Sequence, residues 1–223
     1  MTLREMSRQI AGDSTLFAAR MLKPVTGARE SFSDLFAEAC AGEPASDHYR
    51  FAIEFIFEGY LLHYRGHGRL LEPEDSDFNL LAGDYMYAQG LTHVAALQDP
   101  EPVRLLAELV SLCAHMNSGA AGGKGADDAG ADCVSLTAWL VTTLCLAGRA
   151  LSLNVAAECT GELDRFRDAV FAGDLHEADL LAVSMLERLA AGFSYLDITG
   201  WLSRLNLAYW RTPAEAGPAR GSD

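Results

Sequence analysis

From Val134 to Ala157 the chain runs through an apolar stretch whose only charge is Arg149. A segment of that length and composition has two physical solutions, a helix that crosses a bilayer or a helix enclosed by protein. Ser135, Thr137, Thr142 and Thr143 punctuate it, Gly148-Arg149 interrupts it, Asn154 follows, and no basic cluster flanks it. These features predict burial in protein, with no transmembrane span. A helix without a solvated face needs other helices around it, so this one segment calls for a sizeable bundle. A chain of 223 residues with 50% hydrophobic content can build one.

Helical periodicity predicts helices at 3–22, 28–41, 46–64, 76–97, 100–118, 132–157, 160–171, 175–192 and 197–210. Lys23-Pro24, Gly42-Glu43-Pro44, Gly66-His67-Gly68 and Asp99-Pro100 mark breaks between them. Asn117 to Asp132, rich in Gly and Ala without a large apolar residue, predicts a flexible surface loop, and 211–223 a disordered tail. One helical domain over residues 1–210 is the simplest organisation.

Charge and cysteine usage narrow the function. A net charge of -14 repels a phosphate backbone, which argues against a nucleic-acid partner. The five cysteines lack C-x-x-C spacing and mostly sit in apolar runs, which predicts free thiols, no structural zinc and a cytoplasmic location. The N-terminal residues alternate charge with apolar side chains and form no secretory signal.

Four side chains make a candidate polar pocket. Asp84 shares a helical stripe with Leu80, Tyr87 and Leu91, so the spacing predicts a desolvated carboxylate that must be paired, hydrogen-bonded or protonated. Glu54 and Glu58 follow Arg50 at four-residue intervals, a pattern that reads as a solvated charged face; the alternative is two carboxylates aimed into the bundle. His63 and His67 have the i, i+4 spacing of zinc ligands, but basic residues and glycines surround them. The acidic run Asp127 to Asp132 lies in the predicted loop and is not preorganised for a metal.

The order Ile53-Glu54, then Leu61-Leu62-His63, an arginine-containing turn, and Leu80-Leu81-Ala82-Gly83-Asp84-Tyr85-Met86-Tyr87-Ala88 resembles the middle of a trans-isoprenyl diphosphate synthase. The resemblance is most specific over residues 50–118 and extends weakly into Ser135 to Gly148. It implies an all-α, isoprenoid-synthase-like helical bundle. In that family two aspartate-rich motifs hold magnesium against an allylic diphosphate, because a hard cation needs several carboxylate oxygens. Here Tyr64, Arg65 and Gly68 stand where the first motif would follow His63, and Asp174, Glu177 and Asp179 flank His176 without paired aspartates. The diphosphate-binding Gly/Lys/Arg element is missing near Lys23-Pro24, and the lysine expected before a threonine is replaced at Leu136-Thr137.

A short chain without either motif resembles the non-catalytic small subunit of heterodimeric members of the family. That reading implies a catalytic prenyl-synthase partner or a homodimer, a tunnel contribution from Phe57, Tyr85, Met86 and Tyr87, and no cofactor held by this chain, magnesium coming only through the partner. A stand-alone enzyme, or a lipid-binding module for an isoprenoid-like ligand, is the alternative.

Overall fold

The computed structural model describes residues 3–21, 31–40, 46–72, 75–118 and 128–206. Among these the regular elements are helices: α1 (Leu3–Asp13), α2 (Thr15–Ala18), α3 (Phe32–Ala39), α4 (Ser46–Tyr60), a π-helical turn (Leu61–Arg65), α5 (Ser76–Ala95), α6 (Pro100–Asn117), α7 (Asp128–Ala150), α8 (Asn154–Ala172), α9 (Leu175–Gly192) and α10 (Ile198–Leu205). Extended backbone pairs only at an isolated antiparallel bridge between Met21 and Leu71. The all-α expectation holds among the described residues.

The apolar stretch takes the protein-enclosed solution. Cys133–Ala150 is long and apolar enough to cross a membrane, yet 83% of it is buried inside the bundle. α3, α4, α6, α8, α9 and α10 pack against α7. Trp139 is the centre of this core, with the rings of Phe32, Phe57 and Tyr60 at 5.2, 5.1 and 5.7 Å. Such offset and edge-on aromatic packing adds to the burial of the rings themselves. A smaller cluster, including Met6, Ile10, Phe55, Leu62, Leu71 and Met86, joins α1, α4, α5 and the segment before α5.

Local chemistry explains several boundaries. Ser31 and Asp34 form a reciprocal capping box on α3. Asp75, Asp99, Asp174 and Asp197 each accept an amide N–H in the first turn of α5, α6, α9 and α10. Gly66 and Gly173 end their helices in the left-handed region. Gln98 and Ser152 adopt it too, at φ 56° and 55°, without being glycine.

Four expectations are corrected. The predicted helix 3–22 divides at Ser14, whose hydroxyl caps α2. The predicted helix 132–157 ends at Ala150, where left-handed Ser152 turns the chain and Leu153 N–H bonds back to Gly148 C=O; α8 then starts at Asn154. Residues Asp128 to Asp132 belong to α7 instead of a loop, while 119–127 and the tail at 211–223 lie outside the described residues. Leu80 to Leu91, a run apolar nearly all round, reads in sequence as the buried central helix; in the structure Leu80 and Leu81 are 56% and 54% exposed, and the enclosed helix is α7.

α5 does lie very close to α4. A Cβ on Gly90 would sit 2.5 Å from Ile56 Cγ1 and 2.9 Å from the Ala52 carbonyl oxygen, and one on Gly59 would sit 2.9 Å from the Gly83 carbonyl oxygen. Ordinary helix propensity makes Gly→Ala favourable by up to about 1 kcal/mol. Gly90→Ala is instead expected to cost about 1 to 3 kcal/mol in urea denaturation, because the methyl meets backbone. Gly12→Ala, where nothing lies within 4 Å, should follow propensity and gain up to about 1 kcal/mol.

Candidate functional site

Arg50 is half-buried, but Glu54 and Glu58 do not form a solvated face: they are 3% and 1% exposed. Residues 66–71 fold back over this side of α4. Glu58 accepts the backbone N–H groups of Arg69 at 2.9 and 2.8 Å, Leu70 at 2.8 Å and Leu71 at 3.0 Å. Glu54 accepts the Ser33 hydroxyl and pairs with the Arg69 guanidinium, each at 2.5 Å. Burial pushes the Glu58 carboxyl up, and the three amides and the Arg69 charge pull against it. Gly68 is fixed by this wrap, since a Cβ there would meet the Leu71 carbonyl at 2.3 Å and Glu58 Oε1 at 2.6 Å. The carboxylates aimed into the bundle are therefore the structural anchors of a loop.

One turn further, the chain leaves α-helical geometry. In the π-helical turn hydrogen bonds run from i to i+5, so side chains five apart come into line. Arg65 is thereby brought over Tyr60: its Nε and Nη2 donate to the Tyr60 hydroxyl at 3.1 and 2.8 Å. That hydroxyl lies 3.1 Å from Ser135 Oγ on α7. Burial raises the Tyr60 hydroxyl to about 12, against the pull of Arg65 and Ser135. Cys113 on α6 is a buried thiol beside Ser135 and Trp139. The Tyr64 ring lies tilted at 54° to that of Tyr60, with centroids 5.5 Å apart. The turn after α4 thus carries a guanidinium tied into the bundle.

His63 points the other way, toward α5. Its ring stacks on Tyr87 at 5.1 Å with an interplanar angle of 1°, and its Nε2 lies 3.3 Å from Asp84 Oδ1. Asp84 is not desolvated as its stripe predicts: its side chain is 68% exposed, because α5 turns the 77/81/84/88 side outward. His67 is separately engaged, its Nδ1 3.1 Å from the Arg65 carbonyl oxygen. The four residues of the candidate pocket therefore divide into two pairs, Glu54 with Glu58 and His63 with Asp84.

The tunnel candidates divide as well. Phe57 is fully buried beside Trp139, and Tyr87 packs against the same core with its hydroxyl buried. Met86 is buried in the smaller cluster, and Tyr85 donates to Asp13 at 2.8 Å while packing on Phe17. No set of three or more His, Cys, Asp or Glu side chains that could hold a metal occurs among the described residues. Asp174 caps α9, and Glu177 pairs with Arg165 at 2.8 Å. Lys23-Pro24 lies outside the described residues.

Tyr60, Arg69 and Ser135 are members of these networks that sequence reading missed. The signal available for Arg69 was a glutamate pair at four-residue spacing followed by a basic turn. Tyr60 carried none, because a tyrosine in an aromatic run looks like core; Ser135 signalled burial in protein but not which partner it would meet.

Two outcomes test this geometry. Glu58→Ala leaves three amide N–H groups without their acceptor and should cost about 3 kcal/mol or more in chemical denaturation. His63 is held below the usual imidazole value by burial, with Asp84 opposing. The unfolded chain therefore binds the proton more readily, and stability should fall as pH is lowered through the ordinary imidazole range. His63→Phe, which keeps a ring against Tyr87, should flatten the dependence of Tm on pH between about 7 and 5.

No protein-family model, no curated protein and no solved structure matches this chain.

Proposed function

We propose that the chain is a non-catalytic helical subunit of a heteromeric trans-prenyl diphosphate synthase in the cytoplasm, binding a catalytic partner and shaping its prenyl-chain tunnel. One observation carries the reading. At the end of α4, where a catalytic member needs carboxylates facing a magnesium-bound diphosphate, this chain has Arg65 drawn inward onto the Tyr60 hydroxyl, which in turn meets Ser135. A cation bonded into the bundle at that place gives the turn a structural role and supplies no magnesium ligand.

The outer side of the following helix supports association. Leu80 and Leu81 are more than half exposed on α5, and Ala88 and Ala95 continue the open face, with Asp77 and Asp84 also on it. A stable contact there would bury at least about 1,000 Å² in total. The acidic flanks and the net charge of -14 favour a more basic partner over a second copy.

The test uses the purified full chain with magnesium, isopentenyl diphosphate and an allylic diphosphate, alone and with a homologue that carries both aspartate-rich motifs. The chain alone is expected to give no product; the mixture should form a complex in light scattering and change the yield or length of the product. Leu80→Glu with Leu81→Glu should weaken that complex by roughly tenfold or more, since central apolar contacts dominate interface energetics. Turnover by the chain alone, or separate monomers in the mixture, would overturn the proposal.

A further inference from the structure

The corner where α7 turns into α8 borders a cleft of about 560 Å³ that neither the α4–α5 contact nor the Glu58 loop uses. Tyr49 reaches it from α4, Arg149 from the last turn of α7, and Ser152 and Asn154 from the corner, with Leu97 and Leu153 as apolar wall. Tyr49 is the informative side chain. It is only 6% exposed, with its ring stacked on Phe36 at 5.5 Å. Its hydroxyl nevertheless makes no hydrogen bond among the described residues, and solvent reaches it from the cleft. A tyrosine this deeply packed normally gives its polar tip a partner. Burial and the Asp99 carboxylate hold the hydroxyl above its usual value, so at neutral pH it is a donor.

Arg149 supplies the charge. Its Nε and Nη2 donate to the two Asp99 carboxylate oxygens at 2.7 Å each. That fork fixes the guanidinium plane and leaves Nη1 without an acceptor among the described residues. Asp99 is fully engaged, because its Oδ1 also accepts the Glu101 N–H at 3.2 Å. Glu101, which lines an adjoining cleft with Asp99 and Arg149, is paired with Arg104. Both nearby carboxylates are thus neutralised by arginines, and the unused polar groups at the cleft are donors. The start of α8 matches them: unlike α5, α6, α9 and α10, it has no side-chain cap.

We propose that this cleft binds a small organic phosphate, whose oxygens are taken by the Tyr49 hydroxyl, Arg149 Nη1 and the Asn154 side-chain amide, with Leu97 and Leu153 against the organic part. The donors come from α4, α7 and the start of α8, three directions that suit a tetrahedral group with several acceptor oxygens better than a planar carboxylate. A guanidinium held rigid by a second carboxylate loses little freedom on meeting the phosphate. The inference does not draw on the prenyl-synthase reading, and no prenyl-transfer activity enters its test.

The purified full chain is titrated by calorimetry, in phosphate-free buffer, with inorganic phosphate, phenyl phosphate and benzoate. Phenyl phosphate is expected to bind at one site per chain, more tightly than inorganic phosphate because its ring covers Leu97 and Leu153, and more tightly than benzoate. Tyr49→Phe removes a hydroxyl that the fold does not use. It should leave thermal unfolding unchanged and weaken phenyl phosphate roughly tenfold or more, as expected for one hydrogen bond to a charged group. Asn154→Ala should weaken it as well. The proposal would be overturned by absence of saturable phenyl phosphate binding, by benzoate binding as tightly, or by an affinity that Tyr49→Phe does not change. A fall in stability of Tyr49→Phe would also overturn it, by showing that the hydroxyl serves the fold.

Discussion

The Glu58 carboxylate organises the packing of α4, residues 66–71 and α5. A buried carboxylate is costly unless its oxygens are filled, and here three consecutive backbone amides fill them. That requirement draws residues 66–71 onto α4 and leaves no room for a side chain at Gly68. It also delivers the Arg69 guanidinium to Glu54, so that the second buried carboxylate is satisfied by the same loop. Close packing of α5 on α4 then follows through Gly59, Gly83 and Gly90, and His63 meets Tyr87 because the two helices are that near.

Much of the architecture was legible because the governing forces are local or periodic. Helix positions follow from apolar spacing, and starts such as Asp75 and Asp99 from their side-chain caps. The choice between lipid and protein for α7 was readable from its interspersed hydroxyls, which inside a bundle find partners: Ser135 meets Tyr60, and Thr137 donates to the Cys133 carbonyl. What escaped was information that no window holds. Ser152 ends α7 by adopting a left-handed conformation in the middle of an apolar run, so periodicity carried the helix straight through it. Leu80 and Leu81 are as apolar as core residues, and only the placement of α4 decides that they face outward.

The candidate site shows the same division more sharply. An Arg-Glu-Glu pattern at four-residue spacing is compatible with a wet face or with a buried one, and the deciding partner, Arg69, arrives from a loop whose path the spacing does not encode. Asp84 illustrates the reverse error. Its stripe contains Leu80, Tyr87 and Leu91, but an apolar stripe predicts burial only where another element covers it, and this one is open at Leu80.

The π-helical turn has a consequence for alignment. A π turn holds one more residue than an α turn, so beyond Leu61 each side chain stands about one position later in sequence than a regular helix would place it. Arg65 occupies, in space, the place that residue 64 would hold. Any residue-by-residue alignment with a chain that stays α-helical here will be one out of register from Leu61 to the Glu58 loop. Sequence identity will be understated there, and equivalent positions are found by matching Tyr60 and the Glu58 loop on either side and allowing a single-residue insertion between them.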